Sequence, residues 1–422
     1  MPGSGSETRV VVVGGGMAGA RLAQQLAAGA GSSGIAVTVL AEEPHPAYNR
    51  VLLAEVLAGR YPAEVIALPR PGAGVTWRPG ARAAALDRAA RAVLCEDGTA
   101  VPYDALVLAT GSNPVLPPLH GLGTAGGGRL PDGVHPFRTL DDCLALDACL
   151  TPGAAAVVVG GGLLGVSAAR ALAERGAQVV LAHQGEHLLE RHIDADAASL
   201  LSAHLTALGV EVHTACRARG VLTDAATGRV TGVELADGYR LDAALVVLAC
   251  GVRPRTGLAR SAGLALGARG GVVVDDRLRT PDDPRVYALG DCAEHAGVVH
   301  GLAGAAQEQA DVLARVLAGD RGARYGGTRA LVRLTLPDGP GPGPVDLAAF
   351  GETTPAPGDD VVRLADATRG AYRKIVVRGD RLRGGILLGD LGGVGALARA
   401  WEGDEPLPAT PLLHLLTHDG GY

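Results

Sequence analysis

Short apolar runs that open directly onto glycine punctuate this chain. Arg9–Val13 runs into Gly14-Gly15-Gly16-Met17-Ala18-Gly19, then into a helix-like stretch, Ala20–Ala28, and a second apolar run, Ala36–Ala41. The same order returns at Ala156–Val159, Gly160-Gly161-Gly162-Leu163-Leu164-Gly165, Val166–Arg175 and Gln178–Ala182. Strand, glycine turn, helix, strand is the grammar of a βαβ unit, and the chain spells it twice. Two more apolar runs pair up: Tyr103–Ser112 and Asp242–Gly251 both end in small residues and are followed by proline turns, Asn113-Pro114 and Arg253-Pro254. Val286–Leu289 reads as a further strand, ending in Gly290-Asp291.

The pattern predicts an α/β fold with two Rossmann-like dinucleotide-binding domains. In such a turn the first glycine permits the bend, the second lets backbone approach a pyrophosphate, and the third lets helix pack on strand. The helix start then offers free N–H groups and a positive dipole end to phosphate. Gly14, Gly16, Met17, Ala18 and Gly19 form one candidate cradle; Gly160, Gly162, Leu163, Leu164 and Gly165 form the other. An acid after the second strand accepts hydrogen bonds from ribose hydroxyls. Glu42 stands there in the first copy, with Glu43 beside it as a solvated alternative, whereas His183 stands there in the second. The Asp291 carboxylate is placed to accept from a ribityl hydroxyl or to sit near phosphate.

Length and charge narrow the class. The 422 residues fit two or three domains. A net charge of −6 without a basic tail argues against nucleic acid or an anionic membrane as partner. No apolar run reaches the roughly 18–20 residues that span a bilayer, and Met1–Thr8 lacks a signal-peptide pattern, so a cytoplasmic protein is expected. The six cysteines form no CxxC pair, which predicts reduced, buried thiols. The histidines show no ligand spacing, so no metal site is expected.

Taken in order, these segments resemble the two-dinucleotide-binding-domain flavoproteins of the pyridine nucleotide–disulfide oxidoreductase superfamily, from about residue 8 to residue 320. The resemblance implies an FAD-binding domain of residues 1–120 and 250–323, an inserted NAD(P)H-binding domain of residues 121–249, and a small C-terminal α+β domain of residues 324–422. It implies Gly14, Gly16, Met17, Ala18, Gly19, Glu42, Arg50, Ala83, Thr110, Gly111, Arg138 and Asp291 as FAD contacts, with a surface salt bridge as the other reading of Arg138. For NAD(P)H it implies Gly160, Gly162, Leu163, Leu164, Gly165, Ser167, His183, Arg191, Cys250 and Gly251. Ser167 stands where relatives usually carry glutamate. The helix starting near Gly304 is expected to point its N-terminus at the flavin.

A finer resemblance, to the flavoprotein part of the nitrite reductase large subunit and to rubredoxin-reductase-like enzymes, lies in Pro46–Leu53, Val179–His183, Leu189–Asp194, Gly290–His295 and the tail Gly370–Lys374 with Gly384–Gly389. No cysteine follows Cys292, so no iron–sulfur or sirohaem centre is expected in this chain. Tyr48–Arg60 lacks the cysteine of disulfide reductases and NADH oxidases, and a Cys250–Cys292 couple is the alternative thiol relay. The implied activity is hydride transfer from NADH, with NADPH as the alternative donor, through FAD to a separate redox protein: a nitrite or nitrate reductase component, a rubredoxin or a ferredoxin. That transfer needs stacking and distance rather than an acid or base, so no catalytic side chain is named. An NADH oxidase or peroxidase, and a flavoprotein with a sensory or structural role, stay open as alternatives. A monomer or homodimer is expected. Neutral His183 favours NADH modestly, and the preference is expected to narrow as pH falls through about 6.5, where His183 gains charge. Asp338–Pro344 reads as a loop or linker, and Tyr372, Arg373 and Lys374 read as solvated strand residues, with a binding patch as the alternative.

Overall fold

Each glycine turn joins the central strand of a five-stranded parallel sheet to a helix that packs against it. A computed structural model describes residues 7–72, 74–123, 129–329, 331–336, 345–366, 368–389, 391–408 and 411–416; Met1–Ser6 and the predicted linker Asp338–Pro344 lie outside them. The chain divides into two units. The first comprises Met1–Leu52, Pro62–Asn113 and Val252–Thr328; the second comprises Leu53–Tyr61, Pro114–Gly251 and Arg329–Tyr422.

In the first unit the strand order is Val286–Ala288, Ala105–Leu108, Thr8–Val13, Ile35–Ala41, Val75–Pro79, all parallel. Near-continuous Val, Leu and Ala runs suit strands covered on both faces, and Val10 to Val13 are all buried. Helices Met17–Ser33 and Ala303–Leu317 pack on one another, tied by Arg21 Nε to Asp311 at 2.8 Å. An antiparallel three-stranded sheet, Ala83–Asp87, Ala92–Cys95 and Ala100–Pro102, is appended.

The second unit repeats the sheet: Val134–Pro136, Leu245–Leu248, Ala155–Val159, Gln178–Ala182, Val210–His213, again all parallel. The two orders match strand for strand, with one difference of connection. The outer strand beside Ala105–Leu108 comes late in the chain, from Val286–Ala288, whereas its counterpart, Val134–Pro136, precedes the second glycine turn. Sequence alone paired three strands of each copy and found Val286–Leu289, but it missed Val75–Pro79, Val134–Pro136 and Val210–His213, because strands of three to five residues carry almost no periodicity.

The C-terminal part of the second unit carries an antiparallel sheet in the order Val332–Leu336, Val345–Gly351, Arg381–Gly389, Ala371–Arg378, Asp360–Asp366. Helix Val394–Glu402 brings Val394, Leu397 and Trp401 into its core with Phe350, Ile375 and Leu387. Here the expectation of solvated strand residues fails. Tyr372, Arg373 and Lys374 are all buried, Lys374 to 2% exposure. Lys374 Nζ and Tyr372 Oη each donate to Asp194 Oδ2 at 2.8 Å. Asp194 also caps helix Ala195–Ala207 through the Ala197 N–H. A charged pair that alternates poorly with its neighbours looks solvated in sequence; a partner 180 residues away reverses that.

Candidate dinucleotide-binding sites

The two glycine turns are superimposable in their constraints. Gly14 and Gly160 hold φ of +120° and +119°, open to glycine alone at that geometry. A Cβ on Gly14 would lie 2.6 Å from the Ala109 carbonyl carbon, and one on Gly160 would lie 2.8 Å from that of Ala249. Gly19 and Gly165 meet Gly14 and Gly160 in turn: a methyl on Gly165 would come 2.9 Å from the Gly160 carbonyl carbon and nearer still to its oxygen. Gly16 and Gly162 differ. Both are helix N-caps with negative φ, −75° and −81°. A methyl on Gly162 would meet nothing within 4 Å, and one on Gly16 only the Arg50 guanidinium at 4.0 Å. Among the described residues, nothing beyond a modest N-cap preference calls for glycine there, and the helix start is open to an external anionic group such as a pyrophosphate.

Around the first turn, in the first unit, several predicted residues come together. Met17 opens the helix and Ala18 lies under Gly290, whose φ is +75° and whose added Cβ would be 3.3 Å from the Ala18 methyl. Asp291 Oδ2 accepts from Ser112 Oγ at 2.8 Å, and the Gly290 N–H donates to Gln309 Oε1 at 2.7 Å. Thr110 Oγ1 donates to the Arg255 carbonyl at 2.6 Å, and Gly111, at φ +68°, accepts the Arg255 N–H. The starts of helices Met17–Ser33 and Ala303–Leu317 therefore converge on the Gly290-Asp291 turn. Glu42 directly follows strand Ile35–Ala41 and is paired with Arg255 at 2.6 Å and Arg82 at 3.5 Å. A carboxylate has about four acceptor positions, so a diol can still be held beside two guanidiniums. Glu43, read as the solvated alternative, is part-buried and accepts from Tyr48 Oη at 2.7 Å and from Arg50. Arg50 lies over the Tyr48 ring. Ala83 begins its strand next to Arg82 and is half-buried. Arg138 belongs to the second unit, where its N–H and that of Thr139 donate to Asp142 in a capping box.

Around the second turn, Leu163 and Leu164 open helix Leu163–Glu174, with Ser167 half-buried on it. The helix carries Arg170, 1% exposed and paired with Glu55 and Glu174. His183 does not face the ligand position as a free imidazole. Its Nδ1 accepts the Gly161 N–H at 3.1 Å, while Nε2 is buried without a hydrogen-bond partner among the described residues. Burial pushes its pKa below the ordinary value, against the opposing charge of Glu190. Protonation would also break the Gly161 bond, so the titration expected near pH 6.5 is displaced to lower pH. Arg191 is exposed, and Gly251 holds φ +97°.

The expectation of buried thiols fails at Cys149, which is exposed, whereas the thiols of the considered couple are chemically quiet. Cys250 Sγ donates to the Val159 carbonyl at 3.4 Å, and burial pushes its pKa up to about 11. Cys292 donates to Leu108 and Leu289 carbonyls at 3.3 Å, and burial raises it too. Cys143 is pushed up to about 12 by burial. Each of the two thiols of the considered couple thus stays protonated and engaged in its own unit. Sequence reasoning missed Arg255, Ser112 and Gln309, which orient Glu42, Asp291 and Gly290. Ser112 and Arg255 carry only the signal of standing just past glycine-ended strands, and Gln309 only that of lying on helix Ala303–Leu317. Among the described residues no group of three His, Cys, Asp or Glu is arranged to hold a metal, and no helix is long and apolar enough to cross a membrane.

Comparison with known proteins agrees with this geometry. The chain is 32% identical over 386 residues to a nitrite reductase [NAD(P)H] of Bacillus subtilis, covering 90% of this chain and 46% of the relative. It is 31% identical to the assimilatory nitrate reductase electron transfer subunit of the same organism, covering 90% and 48%. It thus spans about half the length of these curated relatives. The fold matches the crystal structure of a covalent putidaredoxin reductase–putidaredoxin complex at TM-score 0.83 and 24% identity, over 97% of this chain and 98% of that one. With the profile of that family matching residues 8–310, the chain belongs to the pyridine nucleotide-disulphide oxidoreductases.

Proposed function

We propose that this chain is an FAD-dependent NAD(P)H oxidoreductase that passes electrons to a separate redox protein. The observation that carries the reading is the pair of glycine turns, each with an N-cap glycine that the protein's own packing does not require. Residues 1–120 and 250–323 are assigned to FAD, residues 121–249 to the nicotinamide dinucleotide, and residues 324–422 to a C-terminal module. For FAD we assign the first turn, Arg50, Glu42, Ala83, Thr110, Gly111, Arg138 and Asp291. For the dinucleotide we assign the second turn with Ser167, Arg191, Cys250 and Gly251, and His183 as the support of that turn through the Gly161 N–H. Arg50 and the two helix starts supply positive potential for anionic phosphates. When bound, FAD supplies the conversion of a two-electron donor into electrons that a carrier can accept.

Names among the relatives, a nitrite reductase and a nitrate reductase electron transfer subunit, support a reductase component as acceptor; a small rubredoxin- or ferredoxin-like carrier is the alternative acceptor. NADH is the assigned donor. Six unbridged cysteines suit a reducing, cytoplasmic setting. The quiet thiols disfavour a cysteine-based NADH oxidase. Anaerobic stopped-flow mixing with NADH tests the assignment: the flavin absorbance should bleach, then return slowly in air and fast with an added one-electron carrier. No bleaching would overturn the donor assignment; fast return in air alone would favour an oxidase.

A further inference from the structure

The first copy ends its second strand in an acid, and the second copy does not: His183 occupies that place. The chain nevertheless returns a carboxylate to the same spot from seven residues further on. A Cβ built on Gly185 would lie 2.6 Å from Glu190 Cδ, nearer still to its Oε2, and 2.7 Å from His183 Nε2. The carboxylate and the imidazole edge therefore fill the space that a methyl group on Gly185 would need. Gly185 has no positive φ, so its backbone does not need glycine; the carboxylate packed against it does.

The turn is held so that Glu190 points there. The Gly185 carbonyl accepts the Ala215 N–H at 2.7 Å, and the Leu189 N–H donates to the Gly161 carbonyl at 2.9 Å. Leu189 itself takes φ +53°, a left-handed conformation that non-glycine residues seldom adopt and that surrounding contacts must enforce. Leu188 and Leu189 are buried while Glu190 is exposed, so the apolar pair anchors the loop and leaves the carboxylate facing outward beside the glycine turn. His183 faces inward to Gly161 and has no accessible ring nitrogen to offer.

We propose that Glu190, not His183, reads the ribose 2′ position of the dinucleotide, accepting the hydroxyl of NADH and repelling the phosphate of NADPH. The inference rests on the nicotinamide reading of the second turn given above. Arg191, exposed next to it, acts in the opposite sense.

Equilibrium binding of NAD+ and NADP+ to the FAD-loaded full chain, measured calorimetrically near pH 8 without turnover, tests the proposal. The wild type should favour NAD+. Glu190→Gln should reduce that preference about tenfold, chiefly by tightening NADP+. Gly185→Ala should shift the ratio the same way, because the added methyl displaces the carboxylate, and both variants should keep their FAD. Arg191→Ala should move the ratio oppositely. An unchanged ratio in both Glu190→Gln and Gly185→Ala, or a shift produced by His183→Asn alone, overturns the assignment of Glu190. A wild type that holds FAD but binds neither dinucleotide removes the nicotinamide reading itself, and Glu190's role with it.

Discussion

Gly162→Ala and Gly165→Ala, three residues apart on one turn, should fail for different reasons. At Gly165 the new methyl would press on backbone, 2.9 Å from a carbonyl carbon, where carbon atoms settle at about 3.5–4.0 Å. No side chain can rotate away, so the helix start must retreat by about 1 Å, and overpacking of this kind costs roughly 1–3 kcal/mol. At Gly162 the methyl meets nothing within 4 Å and φ is already −81°, so the fold should be unaffected. The cost there falls on the ligand: a methyl at the helix start keeps phosphate from the N–H groups. Losing one hydrogen bond to a charged group costs about 1.5–3 kcal/mol, roughly a ten- to hundredfold loss of affinity. Thermal unfolding, FAD absorbance per chain and NAD+ calorimetry separate the two. Gly165→Ala should lower Tm, and Gly162→Ala should keep both Tm and FAD while losing NAD+ affinity. Unchanged NAD+ affinity in Gly162→Ala would refute the argument that this glycine serves a ligand.

Asp291→Ala should weaken FAD retention by a similar roughly ten- to hundredfold, read as flavin lost on dialysis, because its carboxylate is fixed by Ser112 for an external donor; full occupancy would count against it. Cys250→Ser and Cys292→Ser should both keep NADH-driven reduction of a one-electron dye, since their thiols are held protonated; a folded, FAD-loaded variant that lost it would reveal a thiol relay. Burial alone would raise the Asp194 carboxyl, yet Lys374, Tyr372 and the Ala197 N–H together hold it below the ordinary range. Its contribution is therefore present above the unfolded pKa of about 3.9 and lost as pH falls through the lower folded value. Lys374→Met should cost about 3 kcal/mol at neutral pH, with the gap to wild type closing in acid; a pH-independent gap in urea unfolding would show that packing, not charge, is lost.

Much of the backbone geometry was written locally. A strand that runs into glycine and then a helix is set by near neighbours: φ near +120° at Gly14 and Gly160 and backbone approach at Gly19 and Gly165 admit glycine and little else. The geometry of both glycine turns and of the Gly290-Asp291 turn was therefore legible, as was the helix that begins at Ala303. The sequence also settled that the plan occurs twice, because the repeat preserves each of these short-range constraints.

What tertiary structure decided concerns side chains whose partners lie far along the chain. Arg255 reaches Glu42, and Lys374 and Tyr372 reach Asp194. Three outer strands, Val75–Pro79, Val134–Pro136 and Val210–His213, come from segments too short to show a period. The fate of His183 also needed coordinates. By position it replaces a ribose-binding acid, but a hydrogen bond from Gly161 turns its ring inward, and the loop brings Glu190 back over Gly185. Local sequence fixes backbone conformation through sterics within a few bonds. The direction of a charged or polar side chain is set instead by which distant partner satisfies it once water is excluded, and only the folded chain supplies that partner.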